Sequence, residues 1–326
     1  MRASFAGAQR RGQRLNVLSA LFGSGVRFRN ALYERKVLGA KHLAGPVVSV
    51  GNLSVGGSGK TPFVLLLGSM LKARGVKFDI LSRGYGRKSK GVAVIDPAGP
   101  AAEFGDEPLL MARRLQVPVV VGEDRYQAGM EAERRFGAQL HILDDGFQHR
   151  QLARDLDIVL VTPEDSSDKL LPGGRLREPL SSLDRANVVV LAGGACSDAF
   201  PVSGKQLWRV RRNIARVEMP ERPVVFCGIA RPQHFLFQLK LAGVEAAAQA
   251  LYRDHHAYSE KDVRDLLELA KKSEAGGFVT TEKDAINLGV YLSALKPLAV
   301  VPVTMELVDE VEAMDTILRT ISRREP

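Results

Sequence analysis

Short apolar runs rich in β-branched residues alternate with longer stretches of helical spacing over the first two-thirds of the chain. Residues 47–50, 78–81, 92–95, 117–121, 140–143, 158–161 and 188–191 are the apolar runs. A run of four or five positions dominated by Val, Ile and Leu suits a strand covered on both faces. Residues 62–74, 107–115 and 125–136 lie between them and predict helices. This order predicts a mostly parallel sheet with helices on both faces. The rhythm changes near residues 195–222, where 208–212 and 215–218 read as exposed strands ahead of Pro220 and Pro223. A second α/β rhythm follows, with strands at 224–227, 248–252, 278–281 and 298–303 and helices near 233–241, 260–272 and 310–322. The pattern divides the chain into an N-terminal segment (1–45), a larger α/β domain (46–205), a linker (206–222) and a smaller α/β domain (223–326).

Charge changes the picture at one end. The formal net charge is +9, and residues 1–45 hold nine Lys and Arg against Glu34, so the rest is nearly neutral. The same segment carries Leu15, Val17, Leu18, Leu21, Phe22, Val26, Phe28, Leu32 and Tyr33. It is too short and too charged to span a bilayer and lacks the cleavage signature of a signal peptide. Two readings stand: a helix lying on an anionic membrane surface, and a helix packed on the protein's own core. A near-neutral remainder argues against a nucleic-acid binder. Cys196 and Cys227 are too few and too isolated for a disulfide framework or a zinc site, which fits a reducing compartment.

The strongest chemical signal is a buried strand running into Ser54, Val55, Gly56, Gly57, Ser58, Gly59, Lys60 and Thr61, then into a helix. Backbone N–H groups of such a turn point at phosphate oxygens, and glycines permit the close approach. Lys60 would reach the β- and γ-phosphates, and the Thr61 hydroxyl would ligate Mg²⁺. This predicts a P-loop NTPase-like fold that binds ATP with Mg²⁺. Ser54 stands where the usual pattern has Gly. A second strand ends in Asp144 and Asp145, where a P-loop fold places its Mg²⁺-linked carboxylate. Gly105-Asp-Glu-Pro108, Gly173-Gly-Arg-Leu-Arg-Glu-Pro179 and Asp254-His-His-Ala-Tyr258 add acids, arginines and a His pair. Taken singly, each also fits a helix cap or a surface turn. Thr281-Glu-Lys-Asp284 lacks the spacer of a guanine-reading motif.

Taken in order, these motifs resemble the tetraacyldisaccharide 4′-kinases of lipid A biosynthesis. The stretches that carry the resemblance are the P-loop, Leu81-Ser-Arg-Gly-Tyr-Gly-Arg87, Gly105-Asp-Glu-Pro108, Gly122-Glu-Asp-Arg125, Asp144-Asp-Gly-Phe-Gln-His149, Arg175-Leu-Arg-Glu-Pro179, Asp254-His-His-Ala-Tyr258 and Thr280-Thr-Glu-Lys-Asp-Ala285. The resemblance implies a peripheral enzyme on the cytoplasmic face of a Gram-negative inner membrane. It implies transfer of the ATP γ-phosphate to the 4′-hydroxyl of a tetraacylated glucosamine disaccharide 1-phosphate, with the lipid and the membrane surface as partners and no nucleic acid. It also implies two α/β domains joined by a two-stranded linker. Lys60 and Thr61 would hold phosphates and Mg²⁺, with Asp144, Asp145 and Glu178 serving the metal. Asp106 would take the hydroxyl proton, partnered from the second domain by His255, which motif position favours over His256. Arg83, Arg125 and Arg177 would meet phosphate groups. The alternative from the residues alone is a P-loop ATPase or GTPase acting as a switch or maturation factor.

Overall fold

The computed structural model describes residues 2–324. The side chains of the first 14 residues, the basic Arg2, Arg10, Arg11 and Arg14 among them, lie outside the described residues. The chain runs through α1 (Arg2–Glu34), β1 (Val47–Asn52), α2 (Lys60–Ala73), β2 (Phe78–Ser82), β3 (Ala93–Val94), α3 (Ala101–Phe104), α4 (Asp106–Leu115), β4 (Val119–Val121) and α5 (Arg125–Phe136). It continues through β5 (Leu140–Asp144), β6 (Leu156–Val161), β7 (Val188–Leu191), β8 (Gln206–Ile214) and β9 (Val224–Cys227). It then forms α6 (Pro232–Leu241), β10 (Ala248–Leu251), α7 (Glu260–Lys272), β11 (Phe278–Thr281), α8 (Glu282–Leu288), β12 (Leu298–Val301), β13 (Val303–Leu307) and α9 (Glu310–Ser322). The fold is mixed α/β with a large, mostly parallel sheet flanked by helices, as the alternating pattern predicts.

By contacts the chain forms two compact units, one of residues 1–60, 138–211 and 307–326, the other of residues 61–137 and 212–306. Neither is a continuous stretch, so the cut differs from the segments read along the sequence.

In the first unit the strand order is β8-β7-β6-β1-β5. The β8-β7, β7-β6, β6-β1 and β1-β5 pairs are parallel. Every residue of β1, β5, β6 and β7 is buried, which is why their sequences are mostly apolar on both faces. Pairing of Val50 with Asp144 sets the ends of β1 and β5 side by side. The expected exposed strand at 208–212 is in fact β8, with Trp208 and Val210 buried because Trp208 pairs with Val190 of β7. Residues 215–218 form no strand.

In the second unit β2 pairs in parallel with β4, and the short β3 is antiparallel to β4. A separate four-stranded sheet, β10-β9-β11-β12, is parallel throughout. Alternation along β9 covers both of its faces. Val224 and Phe226 join Tyr258, Leu266 and Phe278, while Val225 and Cys227 join Phe235, Leu239 and Val279. Pro302, which has no N–H to give a ladder, divides the single strand expected at 298–303 into β12 and β13. Side chains cap several helices: Asp124 accepts from the N–H groups of Tyr126 and Gln127 at α5, and Ser259 with Asp262 forms a capping box at α7. Thr281 caps α8 by accepting from the Asp284 N–H. The apolar pattern does not signal this short helix.

Helix α1 docks on the first unit through its small and polar residues. Ser19 Oγ donates to Leu170 O at 2.9 Å and accepts from Gly173 N at 2.9 Å. Asn30 Nδ2 donates to Glu178 Oε2 at 2.8 Å, and Arg150 donates to Asn30 O. Gly23, on the same line, leaves room for Leu170. The large apolar side chains Leu15, Val17, Leu18, Leu21, Phe22 and Phe28 stay exposed. Among the described residues no helix is long and apolar enough to cross a membrane.

Gly51 of β1 makes the testable packing point. A Cβ there would lie 2.5 Å from the Phe147 Cβ and 2.8 Å from its backbone nitrogen. Gly51→Ala is expected to lower stability in urea by about 1–3 kcal/mol, since backbone has to move. Gly25→Ala meets nothing within 4 Å on α1 and serves as the control, unchanged or slightly more stable. Equal midpoints for the two variants would refute the close approach.

Candidate functional site

The first unit carries one cluster at the C-terminal ends of β1 and β5. After β1 the chain turns through Gly56, Gly57 and Gly59 at φ of 66°, 72° and 90°, backbone that a Cβ disfavours. Ser54 is fully buried and bridges to Leu176, so the position that departs from the usual pattern serves to anchor the loop. Val55 is exposed; its N–H donates to Arg175 O, and the Arg175 guanidinium returns bonds to the carbonyls of Val55 and Gly56. Ser58 Oγ is buried and meets no hydrogen-bond partner among the described residues. Lys60 opens α2, followed by the half-buried Thr61. Glycine turn, unsatisfied hydroxyl and helix N-terminus together fit an anionic phosphate group.

Lys60 Nζ donates to Asn52 Oδ1 at 2.9 Å and lies 3.4 Å from Asp145 Oδ1. Asp144 is the buried last residue of β5. Asp145 leaves the strand with a positive φ of 51°, so the turn begins there. Arg177 holds the Asp145 carboxylate by two bonds, at 2.7 and 2.9 Å, and also donates to Asn52 Oδ1. Burial would raise the Asp145 pKa, but Lys60 and Arg177 outweigh it and keep the carboxyl well below the usual range.

Glu178 is buried elsewhere in this unit's bonding pattern. Its oxygens accept from Arg185 at 2.8 and 3.2 Å and from Asn30 at 2.8 Å. Burial pushes its pKa up, and Arg185 and Asn30 more than reverse that. Among the described residues no three His, Cys, Asp or Glu side chains form a group able to hold a metal ion. The Asp144 and Asp145 carboxylates and the Thr61 hydroxyl are each of the hard oxygen type that suits Mg²⁺.

The second unit carries the other cluster. Asp106, the first residue of α4, is buried. Its oxygens lie 2.9 and 3.0 Å from His255 Nδ1, and Oδ2 accepts from Asn287 Nδ2 at 3.0 Å. His255 sits at φ 58°, its N–H donating to Gly228 O and Asp254 Oδ1. Gly228 is pinned in turn by Asp284 Oδ1, which accepts its N–H at 2.7 Å and the Tyr258 hydroxyl at 2.9 Å. The Tyr85 ring lies 5.1 Å from the imidazole. Burial raises the Asp106 pKa, but His255 and Lys283 together bring it below the ordinary value. Burial lowers the His255 pKa, yet the Asp106 bond lifts it above the ordinary value while Lys283 opposes.

Asp106 and His255 lie in the same compact unit, that of residues 61–137 and 212–306, where α4 packs on α8. Of the two histidines, His255 is the one that meets Asp106. His256 stacks on Tyr252 and pairs with Asp262, away from Asp106. Of the three arginines, Arg177 joins the first cluster, Arg125 is buried at the start of α5 donating to Glu123 O, and Arg83 is exposed after β2. Sequence reasoning missed Asn52, Lys283 and Asn287. Lys283 lay inside a motif already noticed, and Asn287 stands one helical turn beyond it, but α8 itself was not foreseen.

The family model described as tetraacyldisaccharide-1-P 4′-kinase matches residues 12–322. The tetraacyldisaccharide 4′-kinase of Koribacter versatilis is 48% identical over 321 residues, covering 95% of this chain and all of the relative. That of Aquifex aeolicus is 40% identical over 290 residues, covering 84% and 89%. A crystal structure of LpxK from Aquifex aeolicus, titled as an "apo" form in complex with ATP, superposes with a TM-score of 0.80 at 36% identity, covering 95% of this chain and 99% of that one. With a parallel sheet, a glycine-rich strand-to-helix turn and full-length similarity in agreement, this chain belongs to the tetraacyldisaccharide 4′-kinase family.

Proposed function

We propose that the chain moves the γ-phosphate of ATP to the 4′-hydroxyl of a tetraacylated glucosamine disaccharide 1-phosphate, giving lipid IVA, with Mg²⁺ assisting. The observation that carries the mechanism is the 2.9 Å contact between His255 Nδ1 and the buried Asp106 carboxylate. A sugar hydroxyl is a weak nucleophile, and an ionised carboxylate oriented by an imidazole is a suitable acceptor for its proton. The loop of Ser54, Val55, Gly56, Gly57, Ser58 and Gly59 would cradle the phosphates, and Lys60 would offset their charge. Thr61, Asp144 and Asp145 would hold the cation, which when bound neutralises charge on the phosphate oxygens. Glu178 and Arg177, also in the proposed set, would each have to exchange a present partner, Arg185 and Asp145 respectively. Arg83 and Arg125 would serve phosphate groups of nucleotide or lipid.

The proposed location is peripheral, on the cytoplasmic face of the inner membrane. The reading is supported by α1, whose docked face is polar while Leu18, Leu21, Phe22 and Phe28 point outward beside the exposed Arg27 and Arg29.

The test is label transfer from γ-labelled ATP to a lipid disaccharide acceptor. Wild-type protein is expected to label the lipid, and Lys60→Ala to lose roughly 10²-fold or more in kcat while staying folded. Acceptor-independent phosphate release with no labelled lipid would favour the ATPase or GTPase reading. Asp106→Ala and His255→Ala are each expected to lower kcat by roughly 10²–10⁴. The double variant should be little worse than the poorer single one, because the pair acts as a unit. Additive losses in the cycle would mean two separate roles. For the membrane, Leu18→Glu, Leu21→Glu and Phe22→Glu combined should reduce co-sedimentation with anionic liposomes, and salt should weaken wild-type binding. Undiminished binding by the triple variant would remove α1 as the attachment surface.

A further inference from the structure

Lys283 is a half-buried cation that the proposed chemistry does not use. It stands on α8, one turn before Asn287, and both face the start of α4. Its Nζ lies 3.0 Å from Asp254 Oδ1, 3.2 Å from Glu107 Oε1 and 3.2 Å from His255 Nε2. An ammonium has three N–H donors and no acceptor, so three neighbours use its whole capacity. Two are carboxylates and can only accept when ionised. The third contact therefore requires His255 Nε2 to accept, which leaves the ring proton on Nδ1, facing Asp106.

We propose that Lys283 is a positioning residue that fixes His255 as the neutral Nδ1–H tautomer aimed at Asp106, keeping the Asp106 carboxylate free to take the proton of the acceptor hydroxyl. This rests on the base role proposed for Asp106 and His255. An imidazolium would turn an Nε2–H toward the Lys283 N–H groups, so charging His255 breaks the Lys283 contact. The groups facing His255 are Asp106 and Glu107 from α4, Lys283 from α8, Asp254 from its own loop and the Tyr85 ring from the loop after β2. Of these Lys283 is the cation, and it opposes protonation of both members of the pair. Removing it raises the pKa of His255 and of Asp106. The protonated, inactive form then persists to higher pH.

The experiment is the pH profile of kcat with lipid acceptor saturating, for wild type, Lys283→Met and Lys283→Arg, beside ¹⁵N NMR of the His255 ring. Lys283→Met is expected to lose roughly 10–10²-fold in kcat at pH 7, within what general-base catalysis contributes. Its acid limb should move up by about one pH unit, as loss of a nearby charge predicts. The KM for ATP should hold. Lys283→Arg, which keeps the charge, should keep the wild-type limb. In the spectra, Nε2 should read as the acceptor nitrogen in wild type, and that preference should weaken in Lys283→Met. An equal loss at every pH with an unmoved limb, or a wild-type ring spectrum in Lys283→Met, would overturn the proposal. An equal shift in Lys283→Arg would overturn the charge argument. Wild-type kcat in Asp106→Ala would instead remove the base reading itself, and the ring spectrum would still report on Lys283 independently.

Discussion

The parallel pairing of β1 with β5 is the constraint on which the cluster around the glycine turn depends. In a parallel pair both strands end at the same edge, so the loop after β1 and the acids after β5 emerge together. Gly51 lets the Phe147 backbone come close, and the Gly146 N–H donates to Val50 O. Lys60 is thereby brought to 3.4 Å from Asp145. Four groups then balance one another: Asn52 and Asp145 accept, and Lys60 and Arg177 donate. A buried cation without such acceptors would carry a desolvation cost of several kcal/mol.

The second cluster obeys the same electrostatic rule with the signs distributed differently. Asp106, Glu107 and Asp254 surround Lys283, and the burial of Asp106 makes its charge dependent on the others. The network is over-determined by backbone. Asp284 holds Gly228, Gly228 holds the His255 N–H, and His255 adopts a left-handed conformation that a side chain rarely takes unaided. Such rigidity suits a base, because proton transfer is sensitive to small errors in donor–acceptor geometry.

Helix α1 inverts the usual arrangement of a surface helix. Its docked line is Ser19, Gly23 and Asn30, and its exposed side is apolar and basic. Hydrogen bonds to Leu170, Gly173 and Glu178 hold it without burying the large side chains. The two readings left open by composition are therefore compatible: the helix packs on the protein and still presents an apolar surface.

What the sequence determined by itself was local. The glycine turn with Lys60 and Thr61, the acids closing β5, the buried strands and most helices follow from neighbouring residues, because strand burial, turn chemistry and capping act over a few positions. The family membership was legible in the same way, as an ordered series of short motifs. The tertiary structure decided the partners. Asp106 meets His255 across 149 positions, Glu178 is held by Asn30 across 148, and Lys283 reaches Glu107 across 176. It also decided that Trp208 is buried and that α1 turns its polar face inward. None of these has a local signature, because strand order and helix packing set which distant side chains meet, and the one-dimensional pattern of polar and apolar residues carries burial without carrying neighbours.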